Sequence, residues 1–108
     1  GDDSLTLPFM AVGAQGVISV ASNVIPKQVA QMVSAFAAGK LAAARNLHAR
    51  FFPLFKDLFI ETNPGPVKAA LAMLGQVQEE YRLPMVPLAA KNRAALEATM
   101  QKCGVLRR

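Results

Sequence analysis

A chain of 108 residues can bury one modest core and is too short for two independent ones. Hydrophobic residues make up 53% and charged residues 18%, so the chain is richer in apolar surface than an average soluble domain, and part of that surface is expected to face another piece of protein. The net charge of +5 brings nucleic acid and acidic membranes into consideration, but the cations are spread singly and only Arg107 and Arg108 are adjacent, which argues against a phosphate-binding stripe. No apolar run reaches the roughly 20 residues of a membrane span, because Gly13, Gln15 and Gly16 break the longest candidate. Neither nucleic acid nor membrane is therefore expected as a partner. Cys103 is the only cysteine, which rules out an intrachain disulfide and fits a reducing, cytoplasmic setting with a thiol packed as a small hydrophobe. The opening Gly1, Asp2, Asp3 is acidic and has no initiator methionine, unlike a signal peptide, so a segment of a longer chain is expected.

Residues 4–12 follow two aspartates able to cap a helix start, and Gly13 suits its end, so a short helix is expected there. Val17, Ile18, Ser19 and Val20 form a compact β-branched run between Gly16 and the turn formers Ser22 and Asn23, the one clear strand signal in the chain. Ile25, Val29, Met32, Val33 and Phe36 recur at helical spacing, with Pro26 at a first-turn position and Gly39 beyond the end, which predicts a helix over residues 26–38. A second long helix is expected over residues 40–60. It carries Ala44, Leu47, Phe51, Leu54, Phe55 and Leu58 along one side, and Pro53 is expected to bend it. Phe51, Phe52, Phe55 and Phe59 gather here and read as core or subunit contact. The rigid turn Thr62, Asn63, Pro64, Gly65, Pro66 leads into a helix with Val67, Ala70, Leu71 and Leu74 inward, ended by Gly75. Residues 76–87 carry Pro84 and Pro87 without helical period, so an ordered loop anchored by Leu83, Met85 and Val86 is expected. A last helix over residues 89–103 buries Ala95, Leu96, Met100 and Cys103 before Gly104.

A buried strand needs ladder partners for its N–H and C=O groups, and no second strand is encoded here to supply them. Those partners are expected outside these residues. A strand between two helices is the repeating unit of a parallel α/β fold, so the chain reads as the closing turn of a barrel or open sheet followed by appended helices.

Gly1, Asp2, Asp3, then Gly16, Val17, Ile18, Ser19, Val20, then Asn63, Pro64, Gly65, Pro66, Val67, Lys68, Ala70, Leu71, and finally Arg82, Leu83, Pro84, Pro87, Leu88 resemble the dihydrodipicolinate synthase family in order and spacing. The resemblance extends over essentially the whole chain. It implies the α/β class: the C-terminal part of an eight-stranded (β/α) TIM barrel, from the end of strand 7 through helix 7, strand 8 and helix 8, plus a helical domain. Residues 1–38 would be the last barrel units and residues 39–108 the C-terminal helical domain. It also implies a lyase, commonly a homotetramer, that condenses pyruvate with aspartate semialdehyde in lysine and diaminopimelate synthesis through a Schiff-base lysine. That lysine, and the tyrosine, threonine and arginine that relay protons and hold carboxylates, belong to parts of the barrel preceding Gly1. No catalytic residue is then expected in this segment, which alone would be inactive, and no cofactor or metal is implied. By the resemblance, Gly1 with Asp2 approaches the second substrate, and Ile18 turns its backbone carbonyl toward the Schiff base.

Other residues weigh less. Lys27, Lys40, Lys56, Lys91 and Lys102 fall on or beside helices among polar neighbours, the usual solvated placement, and Lys68 reads as a helix-surface or capping lysine rather than a nucleophile. Asp2 and Asp3 could pair for acid–base work, but adjacent residues before a helix point apart, and capping explains them more simply. His48 has no second ligand at metal spacing. Ser19, Ser22 and Asn23 lie where barrel loops carry function, yet are also ordinary turn formers, and Tyr81 reads as packing. Two alternatives remain beside the lyase: a sister aldolase such as an N-acetylneuraminate lyase, and a non-catalytic helical oligomerisation module built on the phenylalanine-rich helix.

Overall fold

The computed structural model describes residues 1–107, and five α-helices dominate it. A short 3-10 turn at Asp3–Leu5 leads into α1 (Thr6–Ala11), and a second one at Ala21–Asn23 precedes α2 (Pro26–Ala37). Then follow α3 (Leu41–Asp57), α4 (Gly65–Met73) and α5 (Ala90–Lys102). The helices expected from periodicity and punctuation are all present, within a few residues of their expected bounds. Gly39 and Gly75, just past α2 and α4, sit at φ of 77° and 74°, where a side chain would be strained, and this is why the chain turns there. The α3 helix continues through Pro53, whose ring nitrogen has no proton for the Ala49 carbonyl one turn back.

The packing follows from the apolar stripes. α2 lies along α3, and α5 packs against both α3 and α4. One continuous core runs from Leu7 through Val29 and Met32, Phe51, Leu54, Phe55 and Leu58, to Leu96, Met100 and Cys103. The start of α4 is built from small residues: Gly65, Pro66, Val67, Ala69 and Ala70 are all buried, and a methyl group on Gly65 would lie 3.4 Å from Leu88 Cδ2. Leu88 is the buried anchor of the long loop, with Met85 half-buried. Leu83 and Val86, expected as anchors, are 85% and 58% exposed and do not serve as such.

The expected strand over residues 17–20 does not form. Among the described residues no strand or ladder is present, and Val20 is already helical at φ −80°, ψ −44°, leading into the Ala21–Asn23 turn. The reason is physical: a β-strand is defined by hydrogen bonds to a neighbour, and residues 1–107 contain no second extended run to provide them. Ile18 is consequently 86% exposed.

Candidate functional site

Gly1 and Ile18, seventeen positions apart in sequence, come close in space. A methyl group built on Gly1 would stand 3.1 Å from Val17 Cγ2, 3.6 Å from the Ile18 carbonyl oxygen and 3.7 Å from its nitrogen. A side chain at residue 1 would therefore press on Val17 and touch the Ile18 peptide, which glycine avoids. Asp2, the third expected wall residue, is exposed, and its carboxylate accepts hydrogen bonds from Ser4 N at 3.0 Å and Ser4 Oγ at 2.8 Å. It caps the Asp3–Leu5 turn, as its position before a helix start suggested. Asp2 and Ser4 also border a small cavity of about 190 Å³ with Phe55, Lys56 and Phe59.

Asp3 has the less expected place. It does not cap its own helix as the sequence suggested; its carboxylate crosses to the other stretch. It is 1% exposed. Oδ1 accepts from the Ser19 hydroxyl, while Oδ2 accepts from Val20 N at 3.1 Å and Ala21 N at 2.9 Å. The Ser19 Oγ in turn accepts from Ser22 N, and the Ser22 hydroxyl donates to the Ser19 carbonyl, both at 2.9 Å. A charge removed from water is tolerable only when several donors converge on it, and here a hydroxyl and two backbone amides do so. Nothing in the local sequence signals the partnership, since Asp3 and Ser19 are 16 positions apart. The Ser19, Ser22 pair at turn spacing was its one legible half.

The other titratable groups group elsewhere. Glu79 accepts from Arg93 Nη2 at 2.9 Å and from the Tyr81 hydroxyl at 2.8 Å, and the Arg93 hydrogen bond holds its carboxyl below the usual range. Burial, then the bond to Glu79, pushes the Tyr81 phenol up to about 12. Lys68, half-buried on α4, holds its ammonium 5.6 Å from the Tyr81 ring centroid, a surface packing role of the kind expected for it. Lys27, Lys40, Lys56, Lys91 and Lys102 are exposed. None sits in the desolvated surroundings an amine nucleophile needs. His48 stacks obliquely on Phe52 with ring centroids 5.4 Å apart. Among the described residues no group of three His, Cys, Asp or Glu could hold a metal ion, and no helix is long and apolar enough to cross a membrane. Among Gly1, Asp3, Ile18 and Ser19 the polar side chains are engaged with one another and with backbone amides, so the arrangement shown is one that shapes and orients.

Residues 1–103 match the Dihydrodipicolinate synthetase family. The chain is 54% identical over 107 residues to a 4-hydroxy-tetrahydrodipicolinate synthase of Koribacter versatilis, covering 99% of this chain and 36% of that one. In three dimensions it is similar to the crystal structure of the dihydrodipicolinate synthase of Aquifex aeolicus, with a TM-score of 0.95 and 48% identity, covering 100% of this chain and 37% of that one. It is likewise similar to the chloride-inhibited dihydrodipicolinate synthase of Acinetobacter baumannii complexed with pyruvate, at a TM-score of 0.93 and 35% identity, covering 98% of this chain and 36% of that one. These relatives, in sequence and in space, are enzymes of one kind, and that defines the class of this largely helical segment. The chain belongs to the dihydrodipicolinate synthetase family. It spans about a third of the length of these relatives.

Proposed function

We propose that this chain is the C-terminal segment of a pyruvate-dependent Schiff-base lyase that condenses pyruvate with aspartate semialdehyde to 4-hydroxy-tetrahydrodipicolinate in lysine and diaminopimelate synthesis. In this reading residues 1–38 carry the end of strand 7, helix 7, strand 8 and helix 8 of a TIM barrel, and residues 39–108 form a C-terminal helical domain. Residues 17–19 become a strand only when neighbouring staves supply their ladder. Gly1, Asp2 and Ile18 form one wall of the pocket at the carboxyl ends of the strands, where barrel enzymes keep their active sites. The Schiff-base lysine and the proton relay come from the rest of the barrel, so the segment by itself is inactive.

One observation carries the reading: Gly1 and Ile18 come so near that a methyl group on Gly1 would touch the Ile18 peptide, as at the ends of two adjacent barrel strands, with Ile18 left uncovered. The names of its relatives and the pyruvate bound by the Acinetobacter enzyme support the substrate. The working molecule is then a cytoplasmic homotetramer, and the exposed Phe9, Leu41 and Phe52 support burial against further protein. In the full-length protein, borohydride added with pyruvate should reduce a Schiff base and fix pyruvate covalently on one lysine, seen by intact mass. A folded full-length protein that is not trapped would remove the lyase reading. Release of pyruvate from sialic acid, without condensation on aspartate semialdehyde, would replace it with a sister aldolase.

A further inference from the structure

Between residues 1–8 and residues 17–24, the described hydrogen bonds all end on one side chain, the carboxylate of Asp3. Neither stretch has a backbone ladder to the other, yet they approach so closely that a methyl group on Gly1 would touch the Ile18 peptide. The contact must be held by something. Asp3 stands two residues from Gly1, and its hydroxyl partner Ser19 stands next to Ile18. The carboxylate is 1% exposed and takes three donors, with Ser19 Oγ also fixed from behind by Ser22 N at 2.9 Å. A buried carboxylate with both oxygens engaged resists displacement, since a shift leaves it or its donors unpaired out of reach of water.

We propose that Asp3 is a positioning residue for the second-substrate side of the pocket, setting the separation of Gly1 from Ile18 through Ser19 and the Val20 and Ala21 amides. The inference rests on the reading of Gly1, Asp2 and Ile18 as pocket wall. Asp3 touches no substrate. It acts by keeping the wall at the spacing the incoming aldehyde needs, and the pyruvate-binding lysine lies on another part of the barrel. Asp3→Asn keeps the size but loses one acceptor: with its oxygen on the two amides, its NH2 faces Ser19, and the hydroxyl proton has no partner. Ser19→Ala removes the same link from the other end while leaving the two amide bonds in place. Displacements of about an ångström in a substrate-positioning wall cost on the order of 100-fold in rate.

The test uses the full-length enzyme and separates the two half-reactions. For Asp3→Asn, borohydride trapping of pyruvate should proceed within about twofold of the unsubstituted enzyme, while kcat/KM for aspartate semialdehyde falls about 10- to 100-fold. Ser19→Ala should fall in the same direction, and the double substitution should be little worse than Asp3→Asn alone, because both break one link. Unchanged aldehyde kinetics in both variants overturn the proposal, and so does a parallel loss of trapping and condensation, which marks a merely structural residue. If Asp3→Asn does not fold, Ser19→Ala decides alone by the same split. Absence of trapping in the unsubstituted enzyme overturns the lyase reading, and the inference with it, whereas trapping with unaffected variants overturns the inference only.

Discussion

Glu61 caps a helix that lies 28 residues further along the chain. Its Oε2 accepts from Ala89 N and Asn92 Nδ2, each at 2.9 Å, at the start of α5, whose own N-cap residue Ala89 has no side-chain acceptor to offer. Asp57 makes a parallel tie, accepting the Thr99 hydroxyl at 2.5 Å. Cys103 is buried at the far end of α5, where loss of solvent pushes its thiol pKa up, so it behaves as the small hydrophobe expected of it. Tyr81 lends itself to a direct test. Its folded-state pKa of about 12 lies above the ordinary value of 10.0, so the fold favours the neutral phenol. That contribution is complete below the unfolded value and is lost as pH rises through the folded one. Ultraviolet titration of the native protein minus a Tyr81→Phe variant should show the missing phenol ionising near 12, and a midpoint at the ordinary value would show that neither burial nor Glu79 acts on it.

At the scale of an element, α3 shows how a run of aromatics is divided. Phe51 and Phe55 are 2% and 3% exposed and form the inner side with Leu54 and Leu58, while Phe52 and Phe59 remain 38% and 46% exposed. The four rings divide between an inner pair, Phe51 and Phe55 about one turn apart, and outer positions, Phe52 on the helix and Phe59 just past its end, because adjacent positions point about 100° apart. Replacement of the buried ring by Phe51→Ala should cost about 3–5 kcal/mol through lost transfer energy and a cavity. Phe52→Ala, on the outer face of the segment, should cost less than about 1 kcal/mol here, and more wherever further protein covers that face. Denaturant unfolding of the two variants, alone and within the full-length protein, measures both numbers. Equal costs for the two in the segment would mean that α3 is rotated from the orientation described.

At the scale of the molecule, the core is continuous, yet the surface retains large apolar side chains, with Val12, Ile18 and Leu83 each at least 85% exposed. Residues 17–19 carry backbone groups with no ladder, and this is a poor state for an independent domain. Circular dichroism of residues 1–108 alone should show helix with a broad, weakly cooperative thermal transition and concentration-dependent association, whereas the same residues within the full-length protein should unfold cooperatively. A sharp, concentration-independent transition in the isolated segment would show that it needs no covering protein.

The helices were legible because each rests on local chemistry: apolar residues at 3.6-residue spacing, Pro26 at the start of α2, and glycines such as Gly39 and Gly75 where φ turns positive. The family was legible for a related reason, since short motifs such as Gly1, Asp2, Asp3 and Asn63, Pro64, Gly65, Pro66 keep their order in the chain. The state of residues 17–20 and the partnership of Asp3 with Ser19 were decided only by the tertiary structure. A strand exists through its neighbours, and a buried carboxylate is satisfied by whichever donors the fold delivers. Neither the neighbours nor the donors are fixed by nearby sequence, and so the approach of Gly1 to Ile18 and the tie of Asp3 to Ser19 emerge only when residues far apart in the chain are brought together.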